Sequence, residues 1–209
     1  MLIDEKVRDF INKLASDLPA PGGGGVAALT GALAAGLISM VCHLTIGRDG
    51  YENVEQEMQK ALLQSDQLHE KLTNLIDEDG NAFSGVIAAF KMPKELPEDK
   101  EKRAQAIQVG YKQAIDVPFA IAMTSLEVLE LAKKLVLKAN TTAVSDIGVA
   151  VLNAYAAIEG AVMSININLA SIKDENYVLE KKEQIKNLLD EGEKLKTYIY
   201  QEVNRILTK

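Results

Sequence analysis

Apolar residues recur along most of this chain at intervals of three and four positions, the spacing that places side chains on one face of an α-helix. No window shows the strict two-residue alternation of a half-buried β-strand. The Val/Ile-rich run at 162–169 lies inside a longer helical pattern. Proline and glycine clusters divide the pattern. The predicted helices cover about 4–16, 25–46, 52–91, 97–138, 145–171 and 174–207.

Short connections between long helices favour antiparallel neighbours. We therefore predict an all-α, up-and-down bundle of about five to six long helices. Pro118 falls inside the fourth predicted helix and should kink it or divide it in two. No internal repeat, low-complexity linker or break in composition marks a second domain, so residues 1–209 are expected to form one domain.

Composition narrows the possible partners and compartment. The chain is 47% hydrophobic and 25% charged, which are ordinary globular values. Its formal charge is −7, and no basic tract stands out, so nucleic acid and anionic membranes are poor partners. The acidic N-terminus is unlike a signal peptide. Cys42, the lone cysteine, fits a small core residue in a reducing compartment, so a cytoplasmic location is expected.

One segment resembles a membrane span. Residues 18–47 carry no formal charge and are numerous enough to cross a bilayer. Glycine and alanine dominate the segment, however, and it contains Thr30, Ser39, His43 and Thr45. We therefore interpret it as a helix buried in a bundle or at a subunit interface, where small residues let a neighbouring helix approach closely.

On the third predicted helix, a carboxylate interrupts an apolar stripe. At steps of three and four residues, the stripe reads Leu68, Leu72, Leu75, Asp79, Ala82 and Val86. A carboxylate buried there needs a partner or a raised pKa, and such a group suits general acid/base catalysis. We therefore single out Asp79 as the candidate catalytic residue. The alternative is that it faces a wet cavity or pairs with a basic residue. Asp77 and Glu78 fall off the stripe and are expected to be solvated.

A second polar group surrounds the start of the fifth predicted helix. Ser145 is placed to cap that helix, and the helix dipole alone would stabilise Asp146. Asn140 precedes both. A line of polar and small residues then follows the same helix: Asp146, Asn153, Gly160, Ser164 and Asn168. Amides inside an apolar helix need hydrogen-bond partners, which a heterocyclic ligand or a neighbouring helix could supply.

The glycine-rich segment 21–25 has no Gly-Lys-Ser/Thr and no preceding strand, so it is neither a P-loop nor a dinucleotide motif. It does place free backbone N–H groups at a helix start, which favours an anion. His43 and His69 lie on different predicted helices without metal-ligand spacing, so no metal site is predicted.

In order along the chain, these segments resemble the cyclodeaminase/cyclohydrolase family. Its members are the C-terminal domain of bifunctional formiminotransferase-cyclodeaminase and free-standing bacterial methenyltetrahydrofolate cyclohydrolases. The resemblance spans nearly the whole chain. It rests on residues 21–28, 31–35, 40–41, 44–48, 75–79, 82–83, 117–118, 140, 145–146 and 167–169. Two positions depart from the family pattern: Gly25, where Ser or Ala is usual, and Ser164, where Asn is common.

The resemblance implies a folate one-carbon enzyme with Asp79 as its acid/base and a homodimer of helical bundles. A cyclohydrolase would hydrolyse 5,10-methenyltetrahydrofolate to 10-formyltetrahydrofolate. A cyclodeaminase would release ammonia from 5-formiminotetrahydrofolate. Because no transferase half accompanies this sequence, we expect the cyclohydrolase. A non-catalytic folate-binding or interaction module is the remaining alternative. No cofactor beyond the tetrahydrofolate substrate is expected.

The candidate ligand-binding residues form two sets. Asn140, Ser145, Asp146 and Asn168 are expected to hold the folate. The loop glycines Gly22, Gly23, Gly24 and Gly25 are expected to act together with Arg48. These would meet an anionic part of the ligand, such as its glutamate tail.

Overall fold

The computed structural model describes all 209 residues and consists of helices without β-strands. The helices are α1 (Val7–Leu14), α2 (Gly23–His43), α3 (Glu55–Ala82), α4 (Ser84–Phe90), α5 (Pro97–Leu135), α6 (Val144–Leu169) and α7 (Glu175–Leu207). Short 3-10 turns cover Leu2–Asp4, Glu52–Val54 and Thr141–Ala143. The predicted all-α bundle of long helices is confirmed.

The third and fourth predicted helices differ from the structure. The segment predicted as one helix over 52–91 is a 3-10 turn followed by α3 and α4, which are separated at Phe83. Conversely, α5 runs through Pro118 as one element of 39 residues, so the proline does not divide it. Pro118 is buried, and packing on both sides of the helix offsets the lost backbone hydrogen bond.

Helix α2 lies at the centre of the bundle and packs against α3, α5 and α6. Its small residues face inward: Ala28, Ala34 and Ala35 have no solvent exposure. At Gly31, a Cβ atom would lie 2.8 Å from the Ser125 hydroxyl oxygen, so a larger residue would have to displace that hydroxyl from the contact between α2 and α5. The small face therefore serves packing within the chain.

Helices α2 and α6 pack against each other in antiparallel directions. Near the start of α2, Ala27 packs against Gly160 in the second half of α6. At the other end, the Asn140 side-chain amide donates to the Leu44 carbonyl at 2.9 Å. The two ends of α6 therefore meet opposite ends of α2.

Two helical segments are long and apolar enough to cross a membrane by length and composition, namely Gly23–His43 and Thr141–Leu169. Within their most apolar windows, 61% and 50% of the residues are buried inside the fold. The core helix of a folded bundle meets the same criterion. Cys42 is fully buried in α2, as predicted, and burial raises the pKa of its thiol to about 11.

The expectation that Asp77 is solvated is wrong. Its side chain is half-buried and accepts a hydrogen bond from the Leu2 backbone N–H at 2.6 Å. It therefore ties the N-terminal turn to α3, whereas Glu78 is exposed as expected. The apolar stripe could not show this, because the N-terminal turn covers a side of α3 that the stripe leaves open.

Candidate active site

A cavity of about 500 Å³ opens where four helices meet. It lies between the start of α2, the end of α3, the middle of α5 and the end of α6. Its lining includes Asp79, Gly22, Gly23, Gly24, Ser164 and Asn168. A volume of this size is typical of small-molecule sites. Part of the predicted site is thus assembled in one place.

The start of α2 is built around the Asp79 carboxyl group. A Cβ atom on Gly24 would lie 2.0 Å from Asp79 Oδ1, so no larger residue fits while the carboxyl stays in place. At Gly25 the nearest atom would be 3.6 Å away, an ordinary contact. The Ser or Ala usual in the family at this position would therefore fit. The anion that contacts the glycine-rich turn within the chain is therefore the Asp79 carboxylate.

The electrostatic setting of Asp79 suits acid/base chemistry. Burial raises the pKa of its carboxyl above the ordinary value of 3.8, and a hydrogen bond from the Gly25 backbone N–H opposes part of that rise. The side chain is half-buried and faces the cavity, so a ligand can reach it. A carboxyl group in this position can exchange a proton with a bound molecule.

The raised pKa predicts how stability depends on pH. The folded chain holds the Asp79 proton more tightly than the unfolded chain, so this contribution is complete below pH 3.8 and lost as pH rises through the folded pKa. Asp79→Asn stays neutral, so at pH 7 its Tm should exceed that of the wild type. The gap should shrink towards pH 4. About 1 kcal/mol corresponds to roughly 2–4 °C for a domain of this size.

Thermal unfolding monitored by circular dichroism across this pH range measures the effect. The control is Glu78→Gln, which removes an exposed carboxylate one position away and should leave Tm almost unchanged. An Asp79→Asn protein that is less stable than the wild type at pH 7 would contradict the assignment of a desolvated carboxyl.

Polar groups also line the α6 side of the cavity. The Asn168 side chain donates one hydrogen bond to the Ser164 carbonyl at 2.9 Å. Its side-chain oxygen and second N–H hydrogen remain available for a ligand. Opposite, Pro118 lacks an N–H, so the Ala114 carbonyl has no partner four residues on, and both residues line the cavity.

Arg48, Asn140, Ser145 and Asp146 lie at the opposite end of the helical bundle from the cavity. Asp146 and Asn168 are separated by roughly 33 Å along α6. Ser145 is exposed and Asp146 half-buried near the start of that helix. Arg48 lies beside a shallow surface cleft that Asp49 and other acidic residues also line. Within one chain, therefore, Arg48 and the glycine-rich turn do not meet the same group.

The predicted helix cap at Ser145 is wrong, because Asn140 supplies the side-chain cap before α6. Asn140 is buried, and its side-chain oxygen accepts the Thr142 backbone N–H at 3.0 Å, which caps the 3-10 turn before α6. Its side-chain amide binds Leu44, so Asn140 has a structural role. Ser145 caps nothing, because α6 already begins at Val144.

Two aromatic residues of the cavity were missed in the sequence analysis. Phe83 and Tyr111 both line it, and their rings pack edge to face with centroids 6.1 Å apart. Phe83 lies four residues after Asp79, so helical spacing from the candidate aspartate could have found it. Tyr111 lies seven residues before Pro118, on the same side of α5.

Comparison with known proteins shows which family the chain is similar to. Residues 6–187 match the family described as formiminotransferase-cyclodeaminase. A methenyltetrahydrofolate cyclohydrolase of Methylorubrum extorquens is 40% identical over 200 residues, which cover 96% of each chain. The formimidoyltransferase-cyclodeaminase of Sus scrofa is 36% identical over 191 residues, covering 91% of this chain but 35% of that protein.

A solved structure supports the same relationship. The formiminotetrahydrofolate cyclodeaminase of Thermotoga maritima superposes with a TM-score of 0.83 at 27% sequence identity. The superposition covers 100% of this chain and 98% of the other. The resemblance inferred from the sequence is confirmed: the chain belongs to the formiminotransferase-cyclodeaminase family.

Proposed function

We propose that the chain is a folate enzyme that hydrolyses 5,10-methenyltetrahydrofolate to 10-formyltetrahydrofolate. The observation that carries the proposal is Asp79, a half-buried carboxyl with a raised pKa on the wall of a cavity. The cyclohydrolase relative, which matches 96% of this chain, favours hydrolysis as the reaction.

Asp79 can move the protons that this reaction requires. The ionised carboxylate stabilises the methenyl cation beside it. As the oxygen of a water molecule bonds to the bridging carbon, Asp79 accepts a proton from that water. Asp79 then returns the proton to N5 as the C–N5 bond breaks. The remaining hydroxyl proton passes to solvent as the formyl C=O forms. No metal or further cofactor takes part in this scheme.

The alternative function is the cyclodeaminase reaction, which the cyclodeaminase of similar length from Thermotoga maritima favours. In that reaction N10 attacks the formimino carbon and loses its proton to Asp79, while the imino nitrogen takes up a proton from solvent and becomes an amino group. Asp79 then passes its proton to that amino nitrogen, and the C–N bond breaks to release ammonia and leave the methenyl cation. The same cavity serves both reactions, because both pass through a tetrahedral carbon bonded to N5 and N10.

A comparison of two substrates tests the proposal. We expect accelerated loss of methenyl absorbance with 5,10-methenyltetrahydrofolate and no ammonia from 5-formiminotetrahydrofolate. Ammonia release without accelerated hydrolysis would mean that the chain is a cyclodeaminase and not a cyclohydrolase. Absence of both activities, with no folate binding, would leave a helical interaction module.

Ligand contacts follow from the lining of the cavity. Ser164 and Asn168 can bind the donors and acceptors on the pterin edge. A Cβ on Gly22 or Gly23 would have nothing within 4 Å, so these two residues border open space in the cavity and a ligand can come close to their backbone. A cytoplasmic location agrees with the buried free thiol of Cys42.

We further infer that the chain is a homodimer joined through the outer face of α2 and α6, here called the α2/α6 face. Its exposed apolar side chains are Leu33, Met40, Leu44, Val149, Leu152, Met163 and Ile167. Helix α2 contributes no charged residue to it. Two helices of this length, side by side, present a surface of roughly 20 Å by 30 Å, or about 600 Å² per subunit. Such an area approaches that of a standard interface.

A second copy suits this face because the face is self-complementary. Apolar residues lie near both ends of α6, so a two-fold axis at its middle pairs Val149 and Leu152 with Met163 and Ile167 of the other copy. Ile167 also lines the cavity mouth. The partner subunit's Asp146 would then approach Asn168, which would unite the two separated groups of predicted binding residues.

Leu33→Glu is expected to convert the dimer to monomers, because it places a charge on each side of the two-fold interface. Size-exclusion chromatography with light scattering gives the mass. The matched control is Leu63→Glu on α3, a leucine that is 67% exposed against 56% for Leu33. A monomeric wild type, or dissociation of both variants alike, would refute the assembly.

A further inference from the structure

We propose that Phe83 and Tyr111 form an aromatic wall that binds the p-aminobenzoyl ring of the folate substrate. This inference rests on the proposed function and adds the part of the substrate that the catalytic argument leaves unplaced. The two aromatic rings line the same cavity as Asp79 and contact each other.

The aromatic wall is exposed where a ligand can cover it. Phe83 is 44% exposed although it lines a concave site, and Tyr111 is half-buried. Their planes meet at 65°, an edge-to-face contact in which each ring fixes the orientation of the other. The wall therefore presents apolar area in a fixed position before any ligand arrives.

The position of the wall relative to Asp79 matches the substrate. Phe83 follows Asp79 by four residues, and its backbone keeps right-handed helical angles although α3 has ended. Such a pair has Cβ atoms roughly 6 Å apart on one side of the helix. The reacting carbon bonds to N10, and N10 bonds directly to the aminobenzoyl ring. A carbon placed at Asp79 therefore puts that ring within reach of Phe83.

The chemistry of the cavity distinguishes the two ends of the substrate. The pterin edge carries several hydrogen-bond donors and acceptors and needs polar partners, which the α2 turn, Ser164 and Asn168 provide. The aminobenzoyl ring is flat and apolar, so it matches Phe83 and Tyr111. No lysine or arginine lines the cavity, so no ion pair there competes with aromatic contact in positioning this end.

The test compares Phe83→Leu and Tyr111→Leu with the wild type. Each should raise KM for 5,10-methenyltetrahydrofolate by about 2- to 10-fold with little change in kcat. Phe90→Leu is the matched control, because Phe90 is 49% exposed on α4 and does not line the cavity. It should leave KM unchanged.

A truncated substrate identifies the ring that is bound. With a methenyltetrahydropterin that carries N10-methyl instead of the aminobenzoyl group, wild type and Phe83→Leu should have equal kcat/KM. An equal loss on both substrates would overturn the inference. Calorimetric binding of 5-formyltetrahydrofolate repeats the comparison without turnover. Absence of turnover therefore rejects the proposed function, whereas unchanged Kd in both variants rejects the aromatic wall.

Discussion

Replacement of Asp79 by Asn should lower kcat/KM for 5,10-methenyltetrahydrofolate by about 10²- to 10⁴-fold. Asn has nearly the same shape and can still accept the Gly25 backbone hydrogen bond, so the start of α2 should keep its place. It cannot take a proton from water or carry the negative charge that stabilises the cation. The loss of methenyl absorbance, corrected for uncatalysed hydrolysis, measures the rate.

Glu78→Gln controls for the loss of one negative charge near the site. Glu78 is exposed and its side chain does not line the cavity, so this variant should keep the wild-type rate. Turnover by Asp79→Asn within a factor of three of the wild type would remove Asp79 from the mechanism. A loss of folded structure, seen by circular dichroism, would instead contradict the expected gain in stability.

Gly24→Ala is the second change with a large expected effect. The added Cβ would lie 2.0 Å from Asp79 Oδ1 and 2.5 Å from Cγ, so the carboxyl group has to move by about 1 Å or more. The atoms in conflict belong to the end of a side chain, so the fold should survive. A misplacement of about 1 Å in a catalytic group can cost roughly 100-fold in rate.

Gly25→Ala provides a control with the same chemical change one position later. Its Cβ would meet nothing closer than 3.6 Å, so activity should stay near the wild-type value. Alanine also favours the first turn of α2 and should raise the unfolding free energy by up to about 1 kcal/mol. Equal activity in both alanine variants would show that the carboxyl does not need this position.

The fold could be predicted because its determinants are local. Three- and four-residue spacing marks the long helices, and glycine and proline mark their ends, so the bundle followed from short stretches of sequence. The break at Phe83 and the continuity of α5 through Pro118 did not. Tertiary packing decides whether a helix tolerates a proline or ends early, and no local pattern encodes those neighbours.

The site was only partly predictable. Asp79 stood out because a carboxylate in an apolar stripe conflicts with its surroundings, and the structure shows it half-buried on a cavity. Asp146 and Asn168 share a stripe of α6, but a stripe does not reveal that its members lie a helix length apart. Phe83 and Tyr111 were missed because an aromatic residue at a helical position is interpreted as part of the hydrophobic core. Only the structure shows that a cavity lies beside these two residues.

The most direct test of the central claim is the pH dependence of kcat/KM for methenyltetrahydrofolate hydrolysis, measured in parallel for wild type and Asp79→Asn. The wild-type rate should rise with pH along an acid limb whose apparent pKa lies above 3.8, the ordinary Asp value, because the carboxyl must be ionised to accept a proton. The residual rate of the variant should lack that limb. An acid limb of the same position in both proteins would mean that another group carries the proton, and the assignment of Asp79 would be wrong.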